Sequence, residues 1–404
     1  MSLDRAAWSW TEHLRHGGTT TWAAWVAAAR DRDVAVPAGW HPPGAAQLEL
    51  VRRLADRPAA RPLLAAGTFH RLADLVLQRS APGRGMAPAP LAWPASATLG
   101  PGFGAPPADP ADVPRAELVR VGVGVLAELL VRSPGAPAAA RLPRRRPLSR
   151  PFQLCGAPVT TDAVRRSLAV AGQVEGGRPP QVVLLAQPLD EALAQVWSAR
   201  VQDGVPVRWR GFLDRWARRA ARGELPPSVD YPALAALWAA QVGPERVHVV
   251  AAPPDLATAV STVATALGLP PARGRRRRCP APQWQPLSAE GVDVLRRVGA
   301  VLGVRVAEPE HRRAVRRLAG LLAQQRPRRL AVPEEHRPWV ARCAAEVAAA
   351  LREGGYAVHG DLERLAQLRA GVPTGPRAGA ELGLVLDGCA RLAALELVGE
   401  AEPR

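Results

Sequence analysis

The sequence predicts an α/β protein whose second half carries a parallel sheet, behind a first half that is mostly helical. Two observations carry this expectation. After residue 151, short apolar runs bounded by turn residues, above all Val182–Ala186, alternate with helical patterns. Strands that alternate with helices imply a parallel sheet covered on both faces. Finally, Trp10, Gly17, Trp22 and Trp25 of the N-terminal segment reappear as Trp197, Gly204, Trp209 and Phe212, each pair 187 positions apart.

In chain order, residues 1–31 read as two helices around a Gly turn, with Thr19–Thr21 offering caps to the helix that holds Trp22 and Trp25. The three Trp of this segment suit core packing before stacking on a ligand. Helical patterns follow over Gly44–Ala55, from about His70 to Arg79, and over Arg115–Arg132, where Gly122 and Gly124 weaken the pattern. Ala81–Pro114 is rich in Pro, Gly and Ala and reads as loop. Residues 134–151, containing Arg141 and Arg144–Arg146, read as a basic, Pro-broken linker.

The second half opens with a short strand, Phe152–Cys155, and a helix over Thr161–Val174. Val182–Ala186 is a buried-strand candidate, followed by helices at about 189–202, 207–222 and 230–241. A third strand is expected at Arg246–Val250 and a helix at about 254–267. Helices then dominate at about 288–303, 311–325 and 333–353, the last closed by Gly354-Gly355. Tyr356–Leu362 reads as extended, and a final amphipathic helix is expected at about 377–396. The expected organisation is a partial helical repeat at 1–133, a linker at 134–151, an α/β domain at 152–365 and a helical tail at 366–404.

Composition narrows the chemistry. The 404 residues include no Lys, Ile or Asn, so all 53 basic residues are Arg. A GC-rich genome accounts for this bias, and the net charge of +17 is therefore modest evidence for an anionic partner. Without Lys there is no Walker-type phosphate lysine and no Schiff-base amine. Arg is no simple substitute, being a rigid fork where Lys is a compact point charge. The four cysteines, Cys155, Cys279, Cys343 and Cys389, have neither metal-ligand nor redox spacing and read as reduced. No apolar run is long enough to span a bilayer and the N-terminus has no apolar signal region, so a cytoplasmic protein without membrane contact is expected.

Individual candidates are weak. His13 and His16 share a helix face but lack a third ligand. His248, among valines, reads as a hydrogen-bonded core residue, and His336 as a surface residue in a first helical turn. His359 beside Asp361 is a weak general-base candidate. Arg200, Arg208 and Arg210 around Trp209 read as a solvated face rather than a base-stacking site.

The halves match further: Leu50–Leu54 resembles Val294–Val298, and Leu72–Val76 resembles Leu318–Leu322. Leu154-Cys155-Gly156-Ala157-Pro158-Val159-Thr160-Thr161 resembles the strand and donor loop of bacterial sulfotransferase-like domains. The stretches 245–250 and 332–362 are also similar to these proteins. The resemblance implies a three-layer parallel sheet of P-loop nucleoside-triphosphatase type in the second half, with an incomplete, mostly helical copy in the first. It implies donor binding at Gly156, Ala157, Pro158, Thr160 and Thr161, in degenerate form. Val159 stands where the family has Lys, Gln187 where a strand-end Arg is expected, and Gln195 about where a helix Ser would be. In the first copy Trp8, beside Ser9, corresponds to Gln195.

These departures imply a binding or scaffolding protein that has lost donor binding, with no cofactor and an unknown protein or small-molecule acceptor as partner. One alternative is an active sulfotransferase using 3′-phosphoadenosine 5′-phosphosulfate, with Arg275–Arg278 standing in for Lys. Another is a polyanion binder; a nucleic-acid partner is open but not favoured.

Overall fold

The computed structural model describes residues 3–30, 40–42, 44–78, 109–132, 151–176, 181–269, 282–323, 330–369 and 378–401. Residues 81–108 of the loop expected at Ala81–Pro114, residues 134–150 of the linker expected at 134–151, Arg275–Arg278 and Cys279 lie outside the described residues. The elements in chain order are α1 (Leu3–Arg15), α2 (Trp22–Arg30), α3 (Ala45–Asp56), α4 (Ala66–Leu77), α5 (Arg115–Arg132), β1 (Gln153–Gly156) and α6 (Pro158–Val170). They continue with β2 (Val182–Ala186), α7 (Leu189–Gln202), α8 (Trp209–Ala220), α9 (Tyr231–Val242), β3 (Val247–Ala251) and α10 (Leu256–Ala266). The last are α11 (Ala289–Leu302), α12 (Glu308–Leu322), α13 (Arg337–Glu353), β4 (Ala357–Gly360), α14 (Glu363–Ala366) and α15 (Ala378–Ala401).

The α/β expectation for the second half holds. The four strands form one parallel sheet in the order β1-β2-β3-β4. Every residue of β2 is buried, which is why its sequence is a continuous apolar run rather than an alternating one. Leu154, Val183, Leu185 and Val250 on one face pack against Val164 and Leu168 of α6 and against Ala259 and Val263 of α10. On the other side α9 packs on β2 and β3, and α13 packs on α9 and α7. β1 and β4 both end in a glycine that the sheet requires. Gly156 has φ 133° and Gly360 φ 104°, and a Cβ there would lie 2.4 Å from the Leu185 carbonyl oxygen and 2.5 Å from that of Ala251.

The compact units are discontinuous where the sequence suggested consecutive segments. One comprises Met1–Gly135, Arg297–Ala314 and Arg377–Arg404; the other comprises Ala136–Arg296 and Val315–Pro376. Of the segment expected as a helical tail at 366–404, residues 378–401 belong to the first unit and residues 366–369 to the second. In the first unit α15 buries Leu382, Val385, Leu386, Cys389 and Leu392 and packs along α5. Gly122 of α5, a weakness by propensity alone, allows this approach: a Cβ there would lie 2.3 Å from Val385 Cγ1. Arg57 adds a forked ion pair to Asp387, at 2.8 and 2.9 Å.

The spacing seen in the sequence is matched by geometry within each unit. α1 and α7 end 187 positions apart, at Arg15 and Gln202, and α2 and α8 begin 187 positions apart, at Trp22 and Trp209. Each first helix closes on a left-handed glycine, Gly17 at φ 86° and Gly204 at φ 93°. The six-to-one bond of a Schellman cap follows in each, from Gly18 N–H to His13 O and from Val205 N–H to Arg200 O. The Trp10 indole then donates to the Thr20 carbonyl at 3.0 Å, and the Trp197 indole to the Val207 carbonyl at 2.8 Å. Trp10 and Trp22 rings lie 5.2 Å apart, Trp197 and Trp209 rings 5.4 Å apart.

A second correspondence runs through α3 and α11, 244 positions apart. The buried acids Glu49 and Asp293 each accept from the Nε of the Arg three residues on, Arg52 and Arg296, at 2.7 Å in both cases. Trp40 and Trp284 fall at the same offset, a match that local pattern reading passes over.

Gly122→Ala is expected to destabilise the chain by about 1–3 kcal/mol through overpacking. Urea denaturation checks this, and Val385→Ala in the same chain is expected to recover much of the loss.

Candidate functional site

The second unit holds a cavity of about 430 Å³ outside the carboxyl ends of β1, β2 and β3. This is where open parallel sheets place their ligands, because the connections there leave a crevice. Its walls are the start of α6 (Val159, Thr160, Ala163, Arg166), one side of α7 (Glu191, Ala194, Gln195, Trp197, Ser198) and the Pro253–Leu256 turn. Residues 285–287, Ala289, Val292, Leu330 and Arg369 complete it.

The residues expected to bind a donor come to this place, but only partly face the cavity. Gly156 ends β1, Ala157 is the sole residue before α6, and Pro158 is the first residue of that helix. Thr160 and Val159 line the cavity, whereas Thr161 is buried behind it with its hydroxyl unpartnered. A loop that wraps a phosphate presents several backbone N–H groups. Here Pro158 has none, Thr161 N–H is taken by the Ala157 carbonyl at 3.0 Å, and Thr160 N–H by the side chain of Gln195.

That last contact is reciprocal. Gln195 Oε1 accepts from Thr160 N–H at 2.9 Å, and Gln195 Nε2 donates to Thr160 Oγ1 at 2.9 Å. A neutral amide oxygen thus sits on the helix-terminal N–H that an anion would use. Sequence reasoning located Gln195 but not its partner, since the two are 35 positions apart.

The charges around the cavity are already matched. Arg166 Nε lies 3.1 Å from Asp162 Oδ2, and Arg369 lies 2.5 Å from Glu191 Oε1. Burial pushes the Glu191 carboxyl up from its usual range, with Arg369 opposing the rise. Asp255 caps α10 by accepting from Thr258 N–H at 2.8 Å. Gln187, only 6% exposed, sits at the end of β2 where its backbone N–H donates to Tyr231 Oη at 3.1 Å. Burial raises the Tyr231 hydroxyl's pKa, so it stays protonated. Ala252, just past β3, is held at φ 45° while its N–H donates to the Ala186 carbonyl at 2.8 Å. A non-glycine residue in this region is strained.

The other candidates lie elsewhere. His248 and His359 meet across β3 and β4, Nδ1 to Nε2 at 3.2 Å, so the partner of His359 is His248 rather than Asp361. Asp361 instead accepts from Glu363 N–H. His336 is buried, correcting the surface expectation: Trp339 Nε1 donates to its Nδ1 at 3.2 Å, and its Nε2 lies 3.2 Å from Asp214. The first unit holds His13 against Trp25 and Thr20, while His16 sits beyond the end of α1 with its side chain exposed. Trp209 is buried with its indole on the Ala331 carbonyl, so Arg208 and Arg210 flank a core residue and are themselves exposed. Trp8, the counterpart of Gln195, is 41% exposed. Among the described residues no cluster of three metal-ligating side chains occurs, and no helix is long and apolar enough to cross a membrane.

The chain matches no protein-family model, no curated protein and no solved structure among those compared with it.

Two consequences are measurable. Ala252→Gly is expected to raise stability by about 1 kcal/mol by relieving the left-handed backbone, as read from thermal unfolding. His248 has its pKa lowered by burial first and by His359 second. Its folded value therefore lies below the unfolded one, near 6.5. The contribution to stability is complete above that pH and declines below it, where only the unfolded chain gains the proton. The unfolding midpoint is expected to fall between pH 7 and pH 5, and His248→Gln to flatten that slope.

Proposed function

We propose that the chain is a binding protein derived from a sulfotransferase-like domain of P-loop type, in which the sulfate-donor site is closed by the chain's own side chains. The observation that carries this reading is the reciprocal pair between Thr160 and Gln195. A phosphosulfate donor brings several negative charges, and transfer of its sulfuryl group needs fixed positive or N–H groups at the bridging and leaving oxygens. Losing one such contact costs about 3–4 kcal/mol in a barrier. At the positions concerned stand Val159, which is apolar, and Gln187 and Gln195, which are uncharged.

Further support comes from the short passage between β1 and α6, where the single residue Ala157 leaves no loop to wrap a phosphate. The two guanidinium groups that reach the cavity, Arg166 and Arg369, already face Asp162 and Glu191, so recruiting either for a donor would break an ion pair. The parallel Trp–Gly geometry of α1–α2 and α7–α8 supports the idea of an internal duplication, with the first copy reduced to helices. In this reading the chain needs no cofactor, and its partner is a small molecule or another protein in a cytoplasmic setting.

Calorimetric titration with 3′-phosphoadenosine 5′-phosphosulfate and with its desulfated product tests this. No binding in the micromolar range is expected for either. Micromolar binding of either one overturns the reading.

A further inference from the structure

The cavity's residual polar groups say what it is built to hold. Gln187 is more than nine-tenths buried and lines the cavity, and among the described residues nothing hydrogen-bonds its side-chain amide. An amide on a cavity wall with no protein partner is left to water or to a ligand, which makes it a recognition element. Ser198, 7% exposed and also on the wall, accepts from Gln202 Nε2 at 3.1 Å, and no described acceptor takes its proton. Both groups are neutral. The remaining wall is largely apolar, formed by Trp197, Pro253, Leu256, Leu287, Val292 and Leu330 among others. At about 430 Å³ the cavity lies within the span of about 300–1,000 Å³ that holds small-molecule ligands.

The ionic groups on the wall favour a neutral guest. With Arg166 on Asp162, Arg369 on Glu191 and Asp255 committed to its helix, a charged ligand would gain no unpaired counter-ion there while losing its hydration. An amide edge fits instead, because it offers one acceptor and one donor to the complementary pair of Gln187.

We infer that this cavity binds an uncharged, mostly apolar small molecule through an amide or lactam edge that pairs with the Gln187 side chain. The inference rests on the reading of the donor site as closed, and it names the ligand class that replaces the donor.

Equilibrium dialysis of the full chain against 2-naphthamide, 2-naphthoate and 2-methylnaphthalene tests it, since the three probes share one apolar body. Saturable binding of 2-naphthamide is expected, at least about tenfold tighter than that of 2-naphthoate. Gln187→Leu is expected to weaken 2-naphthamide about five- to tenfold while leaving 2-methylnaphthalene within about twofold. Ala194→Phe, which fills the cavity, is expected to weaken both by more than about tenfold. Circular dichroism establishes that each variant folds, and Gln187→Met replaces Gln187→Leu if the latter does not. Absence of saturable 2-naphthamide binding, equal binding of 2-naphthoate, or indifference to the Gln187 substitution overturns the inference. Donor binding in the separate titration would instead overturn the closed-site reading, so the two failures are distinguishable.

Discussion

The hydrogen bond from the Trp197 indole to the Val207 carbonyl organises the unit that holds the cavity. α7 ends at Gln202, a left-handed glycine turns the chain, and α8 begins at Trp209. The indole reaches across that turn and satisfies a carbonyl that neither helix can use. Trp197 is thereby fixed against Trp209, and Trp209 against Phe212. Glu191, Ala194, Gln195 and Ser198 project from the same α7, so three of the cavity's polar side chains, Glu191, Gln195 and Ser198, are set by this clamp. The equivalent bond at Trp10 organises α1 and α2 in the other unit, where the residue corresponding to Gln195 is an exposed Trp8. The scaffold is common to the two places and the polar residues are not.

The Thr160–Gln195 pair gives the proposed loss of donor binding a physical form. A missing Lys alone would leave an empty, polar helix end that water or any small anion could visit. A glutamine that both accepts from the backbone and donates to the hydroxyl leaves less to be gained there. The neighbouring ion pairs work in the same direction. The Arg166–Asp162 pair is largely buried, so removing Arg166 would strand the Asp162 charge, whereas Arg369 is exposed and its pair with Glu191 holds it more weakly.

Much of the secondary structure was legible in the sequence because its signals are local. The start of α7 at Leu189, the end of α5 at Arg132 and the whole of β2 follow from periodicity, glycine and proline. The β1–α6 junction was displaced, with the helix starting at Pro158 rather than Thr161, since proline suits a first helical position. The site was legible as a location but not as an arrangement. Gln195 and Gln187 were marked out by what they replace, whereas the Thr160–Gln195 bond, the pairing of His248 with His359 and the burial of His336 depend on residues brought together from distant positions. Arg369 and the 285–292 wall carried no motif at all. The packing of α15 on α5 was equally invisible, because a glycine that weakens a helix by propensity strengthens a helix pair by proximity.

That pair of helices also orders events in time. Cys389 and Gly122, in contact between α15 and α5, are separated by 267 positions. The strands and helices of the second unit lie largely within that span. Closing so long a loop costs conformational entropy that only later contacts repay, so topology makes the helical unit the slow partner. During synthesis the α5 face that α15 will cover waits, apolar and unsealed, while the sheet is already able to assemble. A chain of this design is most vulnerable to aggregation in that interval, and the period of risk is set by the placement of one glycine-lined helix far along the sequence.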